Sequence, residues 1–168
     1  METRIALGAC IVVGSTLIGR SLTGAARRRA AALRDLLDGT KQLRIHMISM
    51  FEPVQNALAQ TECKLLEAVG GSMSGGKSAG AAWQAERMKL RRTGGPIDAL
   101  KASDMQILDG LFAHLGQSGR EAQETLLTGT IQALEQQWQA AKARASEADR
   151  LYISLGLLVG LMLALIVI

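Results

Sequence analysis

Apolar positions along the chain follow two regimes. At the ends they are contiguous: Ile5–Gly19 contains no charged residue and neither does Leu151–Ile168. Between the ends they recur at steps of three and four, the period of a helix with one buried face. At about 1.5 Å rise per residue the C-terminal run reaches roughly 27 Å, close to the hydrocarbon thickness of about 30 Å. The N-terminal run is shorter and draws on Ser21 and Leu22, or on local thinning, to complete a span. The pattern therefore predicts two membrane helices around a helical middle.

Within the middle, a first helix runs through RRRAAALRDLL and is weakened at Gly39-Thr40, with KQLRIHMISM as a shorter amphipathic stretch after it. Pro53 suits a first helical turn, so one helix is expected from there to Gly70-Gly71. A glycine-rich loop follows, then AAWQAERMKLRR, closed by Thr93-Gly-Gly-Pro96. Ser103 is placed to cap the next helix, and Gly116 to end it in the left-handed region. Ser118 and Glu121 have the spacing of a capping box and open the longest helix. Along it Leu127, Ile131, Leu134, Trp138, Ala141, Ala145, Ala148 and Tyr152 trace a heptad seam into the second apolar run.

Composition supports this reading: aromatic residues make up 3% of the chain, and helix formers such as Ala, Leu, Gln, Arg and Glu dominate its middle. Charge sets the topology. Arg20, Arg27, Arg28, Arg29 and Arg34 follow the first run, while Lys142, Arg144 and Arg150 precede the second. Both runs thus place the central segment in the cytoplasm and the termini outside it. The same polarity argues against a cleaved secretory signal. The domain plan is a membrane helix at 1–22, a cytoplasmic helical domain at 23–150 and a membrane helix at 151–168. The isoelectric point near 9.4 is accounted for largely by these topological arginines, and no aromatic platform accompanies the charge, so nucleic acid is not the expected partner. Cys10 and Cys63 read as small apolar fillers, one in a span and one in a reduced compartment.

Gly71 to Ser78, GSMSGGKS, satisfies the phosphate-loop pattern and poses the sharpest chemical question. That loop cradles phosphates when a buried strand delivers it, yet Lys64–Val69 continues a helical repeat and no alternation of strand and helix surrounds it. The nearest second acidic ligand, Asp109 at the end of MQILD, also sits in a helical pattern. The stretch is read as a hinge with a chance match, and nucleotide binding at Lys77 is kept as the lesser alternative. His46 and His114 have no ligand-spaced neighbours, and no catalytic constellation assembles, so neither enzyme activity, metal nor cofactor is expected. Arg27, Arg28 and Arg29 are read as a topological anchor, with anionic lipid or an acidic partner as the sharper alternative. Gly156 and Gly160 form a G-x-x-x-G pair in the second span, and Ser15 and Gly19 a similar small pair in the first, both suited to intramembrane packing.

Taken together, Ser15-Thr-Leu-Ile-Gly19, the Leu115-Gly116 turn with Arg120 and Gln123, and LYISLGLLVGL from Leu151 resemble the stage III sporulation protein AB family of endospore-forming bacteria. The resemblance covers nearly the whole chain. It departs from the family where glutamates usually precede a TPL helix start: here Arg44 and His46 precede Glu52-Pro53-Val54. It departs again at Gly119 and at Thr125-Leu126, where the family usually has an acidic residue and a KH pair. The resemblance implies a membrane component of the channel between mother cell and forespore, in the mother-cell (outer forespore) membrane. It also implies a helical domain similar to the platform proteins of type II secretion and type IV pilus machines, and a partner ATPase, stage III sporulation protein AA. The expectation is an all-α, non-enzymatic platform whose contacts with the ATPase and other channel subunits involve Gly116, Arg120, Glu121 and Gln123. A membrane scaffold with no ATPase partner is the alternative.

Overall fold

The computed structural model describes residues 24–93 and 96–167, and within them every regular element is helical. Helix α1 spans Gly24–Arg44 and passes into a single π turn, Ile45–Ser49. Short helices α2 (Val54–Ala59) and α3 (Lys64–Ser72) precede α4 (Ala79–Thr93). A 3-10 turn at Pro96–Ala99 leads to α5 (Ala102–His114), and α6 takes Arg120–Val167. The chain divides into two units, Arg29–Gln139 and a second formed from Met1–Arg28 with Ala140–Ile168.

In the unit Arg29–Gln139 the apolar period does what it predicts. Leu33, Leu36, Leu37 and Leu43 bury one face of α1, and Leu58, Leu66, Val69, Leu108, Leu111, Leu127 and Leu134 close the core with them. The two large aromatics belong to α4 and α5: Trp83 stacks on Phe112 with centroids 4.9 Å apart. Asp109 fastens that pair from the side. Its carboxylate accepts the Trp83 indole N–H at 2.6 Å and two N–H bonds from Arg87 at 2.9 and 2.8 Å. The one acidic group suggested as a second metal ligand is therefore committed to packing.

Three element boundaries differ from the sequence expectation, each for a local reason. Gly39 does not weaken α1; it lies where a Cβ would come within 2.5 Å of the Cys63 Cβ, so its small size admits the chain before α3. The single helix expected from Pro53 is two, because the chain turns at Gln60–Cys63. There the Thr61 hydroxyl and N–H both bond to the Leu58 carbonyl, and Gln42 Oε1 accepts the Glu62 N–H. Ser103 does not cap α5. The first turn is closed from inside by Asp104, whose Oδ2 accepts the Lys101 N–H at 2.9 Å.

In the second unit Arg27 pairs with Asp149 at 2.7 Å, and Ala141 and Ala145 are buried on α6. Farther along α6, Leu151, Leu158 and Met162 are exposed, at 61%, 63% and 68%. Among the described residues no helix is long and apolar enough to cross a membrane. The first expected span, with Ser15 and Gly19, lies outside the described residues; Gly156 and Gly160 fall within α6, but their packing lies outside the description.

Candidate functional site

The turn between α5 and α6 is the best-defined local structure among the sequence-selected positions. Gly116 has φ +77°, and a Cβ there would come within 2.9 Å of Val54 Cγ2, so both backbone and space demand glycine. Gln123, one turn into α6, staples the turn. Its Oε1 accepts the Gly116 N–H at 3.0 Å, while its Nε2 donates to the His114 carbonyl at 3.0 Å and to Ser118 Oγ at 2.7 Å. Gln123 is buried, which makes it a positioning group rather than a contact surface. Ser118 serves Gln123 instead of capping α6, whose first bond runs from the Gln123 N–H to the Gly119 carbonyl.

Arg120 leaves this turn toward the π segment. Its Nη2 donates to the Ile48 carbonyl at 2.7 Å, and its guanidinium carbon lies 4.3 Å from the centroid of the Phe51 ring. Phe51 is the only non-glycine residue with positive φ among the described residues, at +58°, and its side chain is 69% exposed. Met50 and Ile45 beside it are exposed as well, and the Met50 N–H bonds to the Ile45 carbonyl at 3.2 Å. The tip is closed beneath by His46 and Glu52: the Glu52 N–H bonds to the His46 carbonyl at 3.1 Å. Their side chains approach to 3.3 Å, Nδ1 to Oε2, with neither atom in a hydrogen bond. His46 thus has a carboxylate neighbour that spacing did not reveal. His114 is exposed and contributes only its carbonyl.

The arginine run divides. Arg28 is exposed and Arg27 is paired with Asp149, but Arg29 is buried. Its Nε and Nη2 bond to the two Asp104 oxygens at 2.8 Å each, and Nη2 also reaches Gln137 Oε1 at 2.9 Å. Burial opposes the Asp104 charge, yet the Arg29 guanidinium and the Lys101 N–H hold its carboxyl below the usual carboxylate range. The hydrogen bond to Asp104 outweighs burial for Arg29 and raises its pKa. A buried, bidentate arginine is not available as a membrane-surface charge, so the anchor reading narrows to Arg27 and Arg28.

The phosphate-loop pattern lies between helices: Gly71 and Ser72 end α3, the turn carries Gly75 and Gly76 at φ +88° and +80°, and α4 begins at Ala79. Its serines are bonded within the chain, although Ser74 and Ser78 are exposed. Ser72 donates to Glu86 at 2.5 Å, Ser74 to the Gly71 carbonyl, and Ser78 Oγ accepts the Ala81 N–H at 3.3 Å. No strand delivers this loop, and among the described residues no three His, Cys, Asp or Glu side chains gather as metal ligands.

Sequence reasoning selected Gly116, Arg120, Glu121 and Gln123 but missed Ile45, Met50 and Phe51. Hydrophobic periodicity assigns such residues to a buried face, and a left-handed phenylalanine has no sequence signature. The scarcity of aromatic residues in this chain was the one available signal.

Among the described residues the chain is all-helical, with an exposed apolar tip at Ile45, Met50 and Phe51 and a long helix, α6, whose uncharged end exposes Leu151, Leu158 and Met162. The chain belongs to the stage III sporulation protein AB family, which it matches over residues 4–168. It is a sporulation protein on that ground. No curated protein and no solved structure matches it.

Proposed function

We propose that the chain is a non-enzymatic membrane platform of the channel between mother cell and forespore, which recruits a secretion-type ATPase, stage III sporulation protein AA. The observation that carries this reading is the division of labour along α6. Leu127 and Leu134 are buried in the helical domain, whereas the uncharged run from Leu151 exposes Leu151, Leu158 and Met162. Exposed leucine and methionine on one helix are costly in water, at about 1.5–3 kcal/mol each when fully transferred, and lipid removes that cost. In this reading the apolar ends, 1–22 and 151–168, insert in the mother-cell membrane, and the domain between them faces the cytoplasm. The nucleotide chemistry then belongs to the partner, in keeping with a phosphate-loop pattern whose serines already bond within the chain.

The test is calorimetric titration of the full chain in lipid nanodiscs with the cognate ATPase, run beside a titration with ATP-Mg alone. Heat with the ATPase and none with nucleotide is expected. Heat with neither leaves the passive scaffold as the better reading, and saturable heat with nucleotide that is lost in Lys77→Ala overturns the platform reading.

A further inference from the structure

The exposed tip at the end of the π segment is held more tightly than an incidental surface loop requires. A phenylalanine in the left-handed region is strained, and here it is presented to solvent rather than hidden. Two groups keep it there. Arg120 lies against the ring while bonded to the Ile48 carbonyl, and the backbone bond from Glu52 to His46 closes the loop beneath. The three apolar side chains project outward: Ile45, Met50 and Phe51 are 49%, 57% and 69% exposed. Arg120 covers one face of the Phe51 ring, and the rest of this apolar tip stays open to solvent.

Charge supplies the rest of the description. Arg44, which precedes Ile45, and Arg120, on the ring, are both exposed, and neither has a carboxylate partner among the described residues. Glu52, the residue after Phe51, is turned onto His46. An aromatic side chain beside an unpaired arginine is the composition of an interface hot spot. A lipid surface would reward the same apolar area on a relaxed loop and needs no fixed backbone. A pre-shaped knob is matched instead by a pre-shaped hollow.

We propose that Ile45, Met50 and Phe51, flanked by Arg44 and Arg120, form a docking knob for a folded protein partner, and that the partner receives it in an apolar pocket rimmed by carboxylates. The proposal rests on the platform reading, with the ATPase as the partner, and adds to it the surface and the chemistry of the receptor. Gly116 and Gln123 then act indirectly, by fixing the turn from which Arg120 departs. Glu121, exposed one residue away, opposes an acidic rim.

The experiment uses the full chain in nanodiscs of zwitterionic lipid, titrated with the ATPase, with phosphatidylglycerol vesicles in a parallel arm. Phe51→Asn retains a residue that tolerates the left-handed backbone and is expected to weaken ATPase binding about 30-fold, the scale of a hot-spot truncation. Arg120→Glu is expected to weaken it at least as much, and Glu121→Gln to strengthen it. Circular dichroism of each variant should match the parent. Undiminished ATPase binding in Phe51→Asn and Arg120→Glu overturns the docking knob while leaving the platform reading intact. No binding by the parent chain sinks both. Loss confined to the vesicle arm identifies a lipid occupant and overturns the protein pocket.

Discussion

Arg29 and Asp104 illustrate how one side chain changes meaning once its partner is known. In the sequence Arg29 is the third of three arginines and reads as topology; in the fold it crosses from α1 to the first turn of α5 and also holds Gln137 on α6. Asp104 serves as cap and counter-ion together, and its side chain is fully buried. Removing one member strands the other charge in the core, so Arg29→Met is expected to cost about 3–5 kcal/mol of unfolding free energy. The double change Arg29→Met with Asp104→Leu removes both charges and is expected to recover most of that loss. Chemical denaturation of Arg29→Met, Asp104→Leu and the double variant checks the pattern, and a double-variant loss equal to the sum of the two single losses would show that the charges are not coupled. The pH dependence has a fixed sign. Because the folded Asp104 carboxyl titrates below its unfolded value, its contribution is full above the ordinary aspartate pKa of about 3.9 and disappears as the pH falls through the lower folded value. Denaturation midpoints of the double variant should therefore vary less with pH than the parent's within that window, between the folded Asp104 value and about 3.9.

At the scale of elements, periodicity was a good guide to buried faces and a poor one to boundaries. The seam expected on α6 is present at Leu127, Leu134, Ala141 and Ala145, all buried. Gln123 and Thr130 are buried on the same helix, and apolar patterning cannot register them because their polar atoms are satisfied locally, Thr130 Oγ1 by the Leu126 carbonyl. The break between α2 and α3 was hidden for a related reason: the apolar repeat continues through it, while the turn is made by Thr61 and by Gln42 from another helix. Composition similarly marks Gly39 as a weak point, although its small size is what lets α1 approach Cys63. Two effects compete there. Helix propensity alone predicts that Gly39→Ala stabilises the protein by about 1 kcal/mol. A new Cβ at 2.5 Å from the Cys63 Cβ forces the backbones apart and is expected to cost about 1–3 kcal/mol. The net result should be destabilisation, read as a lower thermal midpoint; a higher midpoint would mean that α1 and the chain around Cys63 separate freely.

For the whole molecule, the all-helical class was legible from composition and spacing, and family membership from the motifs at the two ends and the turn between the last two helices. The docking tip was not, because a knob is defined by exposure and backbone conformation, and neither follows from residue type. Membrane insertion rests on charge and length: the run from Leu151 is uncharged, its described large side chains are exposed, and insertion of its centre is open to a direct energetic test. An arginine near the middle of a membrane helix costs about 2.5–3.5 kcal/mol, roughly a hundredfold in partitioning. Leu158→Arg, placed in a chain lacking residues 1–22 so that the other apolar run cannot compensate, is expected to move the protein from the alkali-resistant membrane pellet to the supernatant. Gln136→Arg, at an exposed position of the same helix within the helical domain, should leave it in the pellet. If Leu158→Arg stays with the membrane as firmly as the parent, Leu158 does not reach hydrocarbon, and the exposed face of α6 must be covered by protein instead.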